Sequence, residues 1–494
     1  MTRRHFAHAA LAALPACSSR PAEMPESLVD LAAGLRAGHF SAVQVTERYL
    51  ERIRQLDGAI HAVIELNPDA LDIARKLDAT QTRGALHGVP ILIKDNIETA
   101  DRMLTTAGSL ALLDSRPQAD APLVKRLRAA GAVLLGKTNL SEWANMRSTH
   151  STSGWSARGG QTRHPHAPEY NPSGSSSGSA AAVAARMCAG AIGTETDGSI
   201  VSPASACGVV GLKPTLGRIS GRGIVPITHW QDTAGPMAGS VADAALLMQV
   251  LGEHAPSDFT TDLVKTDLRG LRLGFLRHLN GDREEVQTLT QAALDVLRAL
   301  GAEIIETELP HTREIAALRF RAMLGEFRDD LDAYLATTSS KMRSMEDVIA
   351  FNETNREKEM PHFGQELLEM AAKLNTESAR AETRAVREEA RRLARDEGID
   401  KVLREQRLDA LVLSTSDPAE KTDYTRRAGG RGCSTVPATA GYPHLTLPMG
   451  RVGPLPVGFS IFSTAHTEPL LLRIGHALER GLTSHAGASP GPAR

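Results

Sequence analysis

Apolar residues in SLVDLAAGLRAG, from Ser27 to Gly38, recur at helical spacing and stop on glycine. Ser41 then stands where an N-cap belongs, ahead of a second helical run, AVQVTERYLERIRQLDG. The pattern changes at Gly88. Val89-Pro90-Ile91-Leu92-Ile93 is a short apolar run closed by Lys94-Asp95-Asn96, which predicts a strand buried on both faces. A lysine is therefore expected at the very end of a core strand. A helix over about 121–130 leads into a strand at 132–135, and further strands are predicted at 208–215, 223–227, 408–413 and 444–448, with a helix at 241–251. Between about 312 and 407 the chain is mostly charged, as in ESARAETRAVREEARRLARDEG, with opposite charges at i,i+3 and i,i+4 that suit solvated helix faces. Strand and helix alternation predicts an α/β fold, one unit over 26–485, with 312–407 as a helical excursion.

One stretch keeps neither period. Residues 171–203, NPSGSSSGSAAAVAARMCAGAIGTETDGSIVSP, hold two serine- and glycine-rich turns around an alanine-rich segment of good helix propensity. Glycine lets backbone N–H groups approach a substrate, so a nucleophile is expected in one of these turns.

Composition narrows the classes. A formal net charge of -2 over 494 residues supplies no basic field for a phosphate backbone, so nucleic acid is not expected as a partner. Cys17, Cys188, Cys207 and Cys433 are far apart, which fits free thiols better than a disulfide scaffold or a zinc ribbon. Residues 1–25 resemble an export signal: Arg3-Arg4 before Phe6 looks like a twin-arginine motif, and Leu14-Pro15-Ala16-Cys17 loosely resembles a lipoprotein cleavage box. The expectation is a periplasmic protein, with a disordered tail on a cytoplasmic enzyme as the alternative. Beyond that segment no run reaches the ~20 apolar residues of a membrane span. The tail 486–494 reads as disordered.

Three candidate chemistries lack their context. Residues 131–138, GAVLLGKT, match G-x-x-x-x-G-K-[ST], but a helix precedes them and the four middle residues are an apolar run, unlike a phosphate loop. Ser176 is central in a G-x-S-x-G pattern, yet the preceding QTRHPHAPEYNP offers no strand to deliver a nucleophile elbow. His164, His166 and Glu169 have no further ligand pair nearby, so a solvated loop is expected there and no metal. No serine has a lysine three residues downstream. Lys94 remains. Burial at a strand end lowers an amine's pKa and makes it a base for a serine, although most single lysines at such places reach solvent.

Taken together, Gly88-Val89-Pro90 with Lys94-Asp95-Asn96, Gly136-Lys137-Thr138-Asn139, the loop 174–179, Thr194-Glu195-Thr196-Asp197-Gly198-Ser199 and Gly211-Leu212-Lys213-Pro214-Thr215 resemble the amidase signature family. The resemblance runs over about 27–450, with Ser175 placed 24 residues before Ser199. It implies a large mixed, twisted sheet covered by helices on both faces. It also implies Ser199 as nucleophile, Ser175 as a bridging serine on a cis peptide, Lys94 as base, and an oxyanion hole from the N–H groups of Thr196, Asp197, Gly198 and Ser199. No cofactor is implied. Within the family, SEWANMRS, PSGSSSGSAAAVA, GTETDGSIV and DTAGPM look similar to bacterial peptide amidases, in which the position of Asn145 contacts the substrate backbone. Two departures from the commoner Thr-Gly-Gly-Ser-[Ile/Val]-Arg are Asp197 and Val201; without the arginine a bidentate carboxylate partner is lost, against small acidic amides. The expected substrate is a C-terminally amidated peptide or another small amide, the chain being a monomer or a homodimer. An aryl-acylamidase, carbamate or ester hydrolase with the same triad, an esterase using Ser176 and a non-enzymatic binding protein are the alternatives.

Overall fold

The computed structural model describes residues 24–253, 258–425 and 431–485; Arg3, Arg4, Cys17 and the tail 486–494 lie outside the described residues. The first two helices form as their caps predict. Ser27 accepts from the Asp30 N–H at the start of Leu28–Ala37, which ends on left-handed Gly38, and Ser41 makes a capping box with Gln44 at the start of Ala42–Ile60.

In chain order the strands are β1 Val63–Leu66, β2 Pro90–Lys94, β3 Val133–Thr138, β4 Trp155–Ser156, β5 Gly160–Gln161, β6 Gly190–Glu195, β7 Val210–Lys213, β8 Thr233–Ala238, β9 Arg272–Phe275, β10 Glu303–Glu306, β11 Ala410–Ser414, β12 His444–Val452 and β13 Leu455–Phe462. β4 and β5 form a small hairpin; the other eleven make one mixed sheet in the order β1-β3-β2-β6-β8-β7-β12-β13-β11-β9-β10. Third in that order, β2 runs parallel to both β3 and β6, and β6 is antiparallel to β8. Alternate side chains of β2 enter different cores. Ile91 and Ile93 pack with Leu28, Leu31, Val241 and Leu247, whereas Leu92 packs with Ala42, Ala181 and Val183. The sheet is thus covered by helices on both faces, the arrangement that makes β2 read as a continuous apolar run.

The charged stretch is helical from Thr312–Thr337 through Asp400–Gln406. Its Phe327, Leu331, Met345 and Leu367 enclose a third core with Trp143 and Ile227. No described helix is long and apolar enough to cross a membrane.

Two expectations need correction. Residues 223–227 are not a strand: Ile224 makes one isolated bridge to Ile97, because Gly223 is left-handed and Pro226 has no N–H to give a ladder. The alanine-rich segment is also not one helix between two loops. Ser177–Ala184 is helical, but Gly190–Glu195 is the core strand β6, close-packed enough that a Cβ on Gly193 would lie 2.8 Å from the Ser176 Oγ.

Candidate active site

Three neighbouring pieces of backbone meet at the ends of β2 and β6. β2 ends at Lys94, which is fully buried. Its Nζ lies 2.8 Å from the Ser175 Oγ, 2.8 Å from the Thr194 Oγ1 and 3.3 Å from the Thr194 carbonyl oxygen. Burial pushes the amine down to about 7, against the opposing pull of the Asp232 and Glu195 carboxylates. Ser175 follows Gly174 through a cis peptide bond, as the family resemblance implies. The Ser176 N–H then donates to the Ser199 carbonyl at 3.1 Å, joining the two serine loops directly.

β6 delivers Thr194 and the turn 196–199, in which Gly198 is left-handed at φ 81°. Glu195 secures the turn and the chain just beyond it, accepting from the Gly198 N–H and from the Ile200 and Val201 N–H groups, the latter two at 2.8 and 3.1 Å. The Asp197 and Ser199 N–H groups donate to no acceptor among the described residues. Ser199 borders a groove of about 340 Å³, together with Asn145, Gly174, Thr196, Asp197 and Arg319. In Asn145 the amide donates to the Ser153 Oγ at 3.2 Å, while its buried carbonyl oxygen has no partner among the described residues.

The rejected chemistries are also visible. Residues 133–138 are β3, and Lys137 is buried with its Nζ 2.5 Å from the Ile97 carbonyl oxygen, so nothing there cradles a phosphate. The Ser176 hydroxyl donates to the Thr194 carbonyl at 3.0 Å and accepts from the Thr194 N–H at 3.2 Å, and no strand runs directly into it, β5 ending at Gln161. His164 and His166 each hold a backbone carbonyl, of Ala206 and Cys207, and burial lowers both imidazoles. Among the described residues one triple comes within ligating reach, His229, Glu326 and Asp330, but Glu326 is already held by Thr228 and Arg387.

Val201 is buried at the start of the helix Val201–Cys207. A guanidinium nevertheless reaches the groove from elsewhere: the Arg319 Nε lies 3.2 Å from an Asp197 carboxylate oxygen, which also meets Thr435, while Ser434 holds the other oxygen. The sequence singled out neither Arg319 nor Gln231, and it met Asp232 only as the first residue of DTAGPM, with no role attached. Arg319 is one arginine among many in the charged excursion, and the other two carry no recognisable spacing to Ser199.

A buried lysine and two serine-bearing turns thus meet beside a groove at the ends of interior strands of an α/β sheet. The model of the Amidase family matches residues 44–472, and the chain belongs to this family. It is an amide hydrolase. The structure is similar to that of native peptide amidase from Stenotrophomonas maltophilia, with TM-score 0.88 and 45% identity over 94% of this chain and 98% of that one. It is also similar to an amidase family protein from Bacillus anthracis, with TM-score 0.83 and 33% identity over 92% of this chain and 90% of that one. A probable amidase of Arabidopsis thaliana is 39% identical over 92% of this chain and 89% of its own length.

Proposed function

We propose that the chain hydrolyses carboxamides, those of C-terminally amidated peptides foremost, through Ser199 as nucleophile, Ser175 as proton relay and Lys94 as base. The contact of 2.8 Å between the buried Lys94 Nζ and the Ser175 Oγ carries the reading. A neutral amine has two N–H bonds and one lone pair. With the N–H bonds directed at the carbonyl and hydroxyl oxygens of Thr194, the lone pair is left for the Ser175 proton. Ser175 in turn draws the proton of Ser199 as its Oγ attacks the amide carbon. The developing oxyanion is met by the Asp197 and Ser199 N–H groups, the Gly198 N–H being held by Glu195; expulsion of ammonia, protonated through Ser175, leaves an acyl ester that water cleaves.

Likeness to a peptide amidase and the unpartnered Asn145 carbonyl oxygen, an acceptor for a peptide N–H, support the peptide substrate. The test is ammonia release from peptide amides by wild type and by Ser199→Ala, Lys94→Ala and Ser176→Ala. Loss of at least ~10³-fold is expected for the first two, and near wild-type turnover for the third. An active Ser199→Ala with a dead Ser176→Ala hands the chemistry to the elbow. Anilides, carbamates or esters turned over while peptide amides are untouched would remove the substrate and leave the triad.

A further inference from the structure

We propose that Asp232, with Gln231 beside it, is a positioning residue that grips the oxyanion turn through Thr196 and sets a negative charge against Lys94; this rests on Ser199, Ser175 and Lys94 acting as the triad. Both residues lead into β8. Its register with β6, Glu195 opposite Thr233, brings them level with Thr196. The Asp232 Oδ1 accepts from the Thr196 hydroxyl at 2.5 Å, and its Oδ2 accepts from the Ile227 and Thr228 N–H groups at 2.7 and 3.0 Å. Gln231, almost wholly buried, donates from Nε2 to the Thr196 carbonyl at 3.1 Å.

The carbonyl bond decides the geometry. The Thr196 C=O and the Asp197 N–H belong to one planar trans peptide and point in opposite directions, so a donor fixed on the oxygen fixes where that N–H aims. Asp197 N–H has no acceptor among the described residues, as an oxyanion donor requires before substrate arrives. Thr196 is thus held at side chain and carbonyl alike, and Asp232 anchors the same turn to Ile227, which lines the groove.

The charge acts on the base. Lys94 is faced by the carboxylates of Asp232 and Glu195, both of which favour its protonated form, and Glu195 is itself countered by Lys213. Asp232 is faced by Asp330, which His229 meets at 2.9 Å; burial raises the Asp232 carboxyl to about 6. Removing the Asp232 charge therefore lowers the Lys94 pKa. Because the neutral amine is the base, the acid limb of the rate profile must then move to lower pH.

The experiment is steady-state amide hydrolysis across pH by wild type, Asp232→Asn, Gln231→Leu and Thr196→Val, with Ser199→Ala as control. Asp232→Asn is expected to lower kcat on the order of 10- to 100-fold with KM within a few-fold, by analogy with a disturbed oxyanion donor, and to shift the acid limb of kcat/KM downward. Gln231→Leu and Thr196→Val should lower kcat and leave that limb in place. Wild-type kcat in Gln231→Leu and Thr196→Val overturns the grip, and an unmoved acid limb in Asp232→Asn overturns the link to Lys94. If Asp232→Asn does not fold, the other two variants decide. An active Ser199→Ala would instead remove the triad on which the positioning role depends.

Discussion

At Lys94 the proton balance is set by burial. A lysine in water holds its proton far above neutrality, but this amine is fully enclosed, and the loss of hydration brings it to about 7. In the proposed mechanism the working form is neutral, so kcat/KM is expected to rise with pH through about 7 and to level above it, as a pH–rate profile on a non-ionising peptide amide will measure. A flat profile across that midpoint would deny Lys94 the role of base. Lys94→Arg, which keeps its proton at any working pH, should be inactive throughout. That Lys94 and the two serine loops come together was readable because motif order and the spacing of the two serines survive in a linear chain. Asp232 was not. Its meaning lies in a hydrogen bond to Thr196, 36 residues away, made only when β8 pairs with β6.

Among the elements, the helix Thr312–Thr337 was legible as a helix by its charges but not as a wall of the groove. Its i,i+4 pattern reports a solvated face, whereas Arg319, Phe320 and Met323 turn toward the site. β6 was hidden for the converse reason: Gly190-Ala191-Ile192-Gly193 is too small to look like a strand, and it is small because neighbours press on it. Arg319 has a definable duty there. It and Asp197 are each mostly buried, with side chains 14% exposed, and Asp197 lies in the turn that we propose receives negative charge. Arg319→Ala leaves that carboxylate with Ser434 and Thr435 as neutral donors only. An uncompensated charge beside a developing oxyanion should lower kcat about 10-fold, ~1.4 kcal/mol, with Arg319→Lys recovering part of it. An unchanged kcat in Arg319→Ala would mean that the two hydroxyls suffice.

Across the whole molecule, strand and helix alternation announced the α/β class. The order of strands was beyond reach, since β6, β8 and β7 become neighbours only through pairings that no local pattern encodes. The same holds for the seam between the excursion and the sheet, where an ion cluster stands in a place hydropathy reads as surface. Arg147, wholly buried, donates to Glu142 at 3.1 Å, to the Glu359 carbonyl and to the Phe363 carbonyl at 3.3 Å, and its guanidinium lies over the Phe363 ring at 4.4 Å. Glu359 holds Ser109 and the Leu110 N–H in turn, and the Arg147 carbonyl accepts from Leu367. Burial and the neighbouring acid raise Glu142, with Arg147 as the charge opposing that rise. Deleting the cation strands two buried acids and frees the excursion at the point where Leu367 and Asn145 enter the groove. Arg147→Ala is therefore expected to lose about 3–5 kcal/mol of stability, read as a lower denaturant midpoint. Under conditions where it stays folded, KM for peptide amides should rise while the pH midpoint set by Lys94 stays in place. A variant as stable as wild type would show that the apolar contacts of Phe327, Leu331 and Leu367 alone hold the excursion against the sheet.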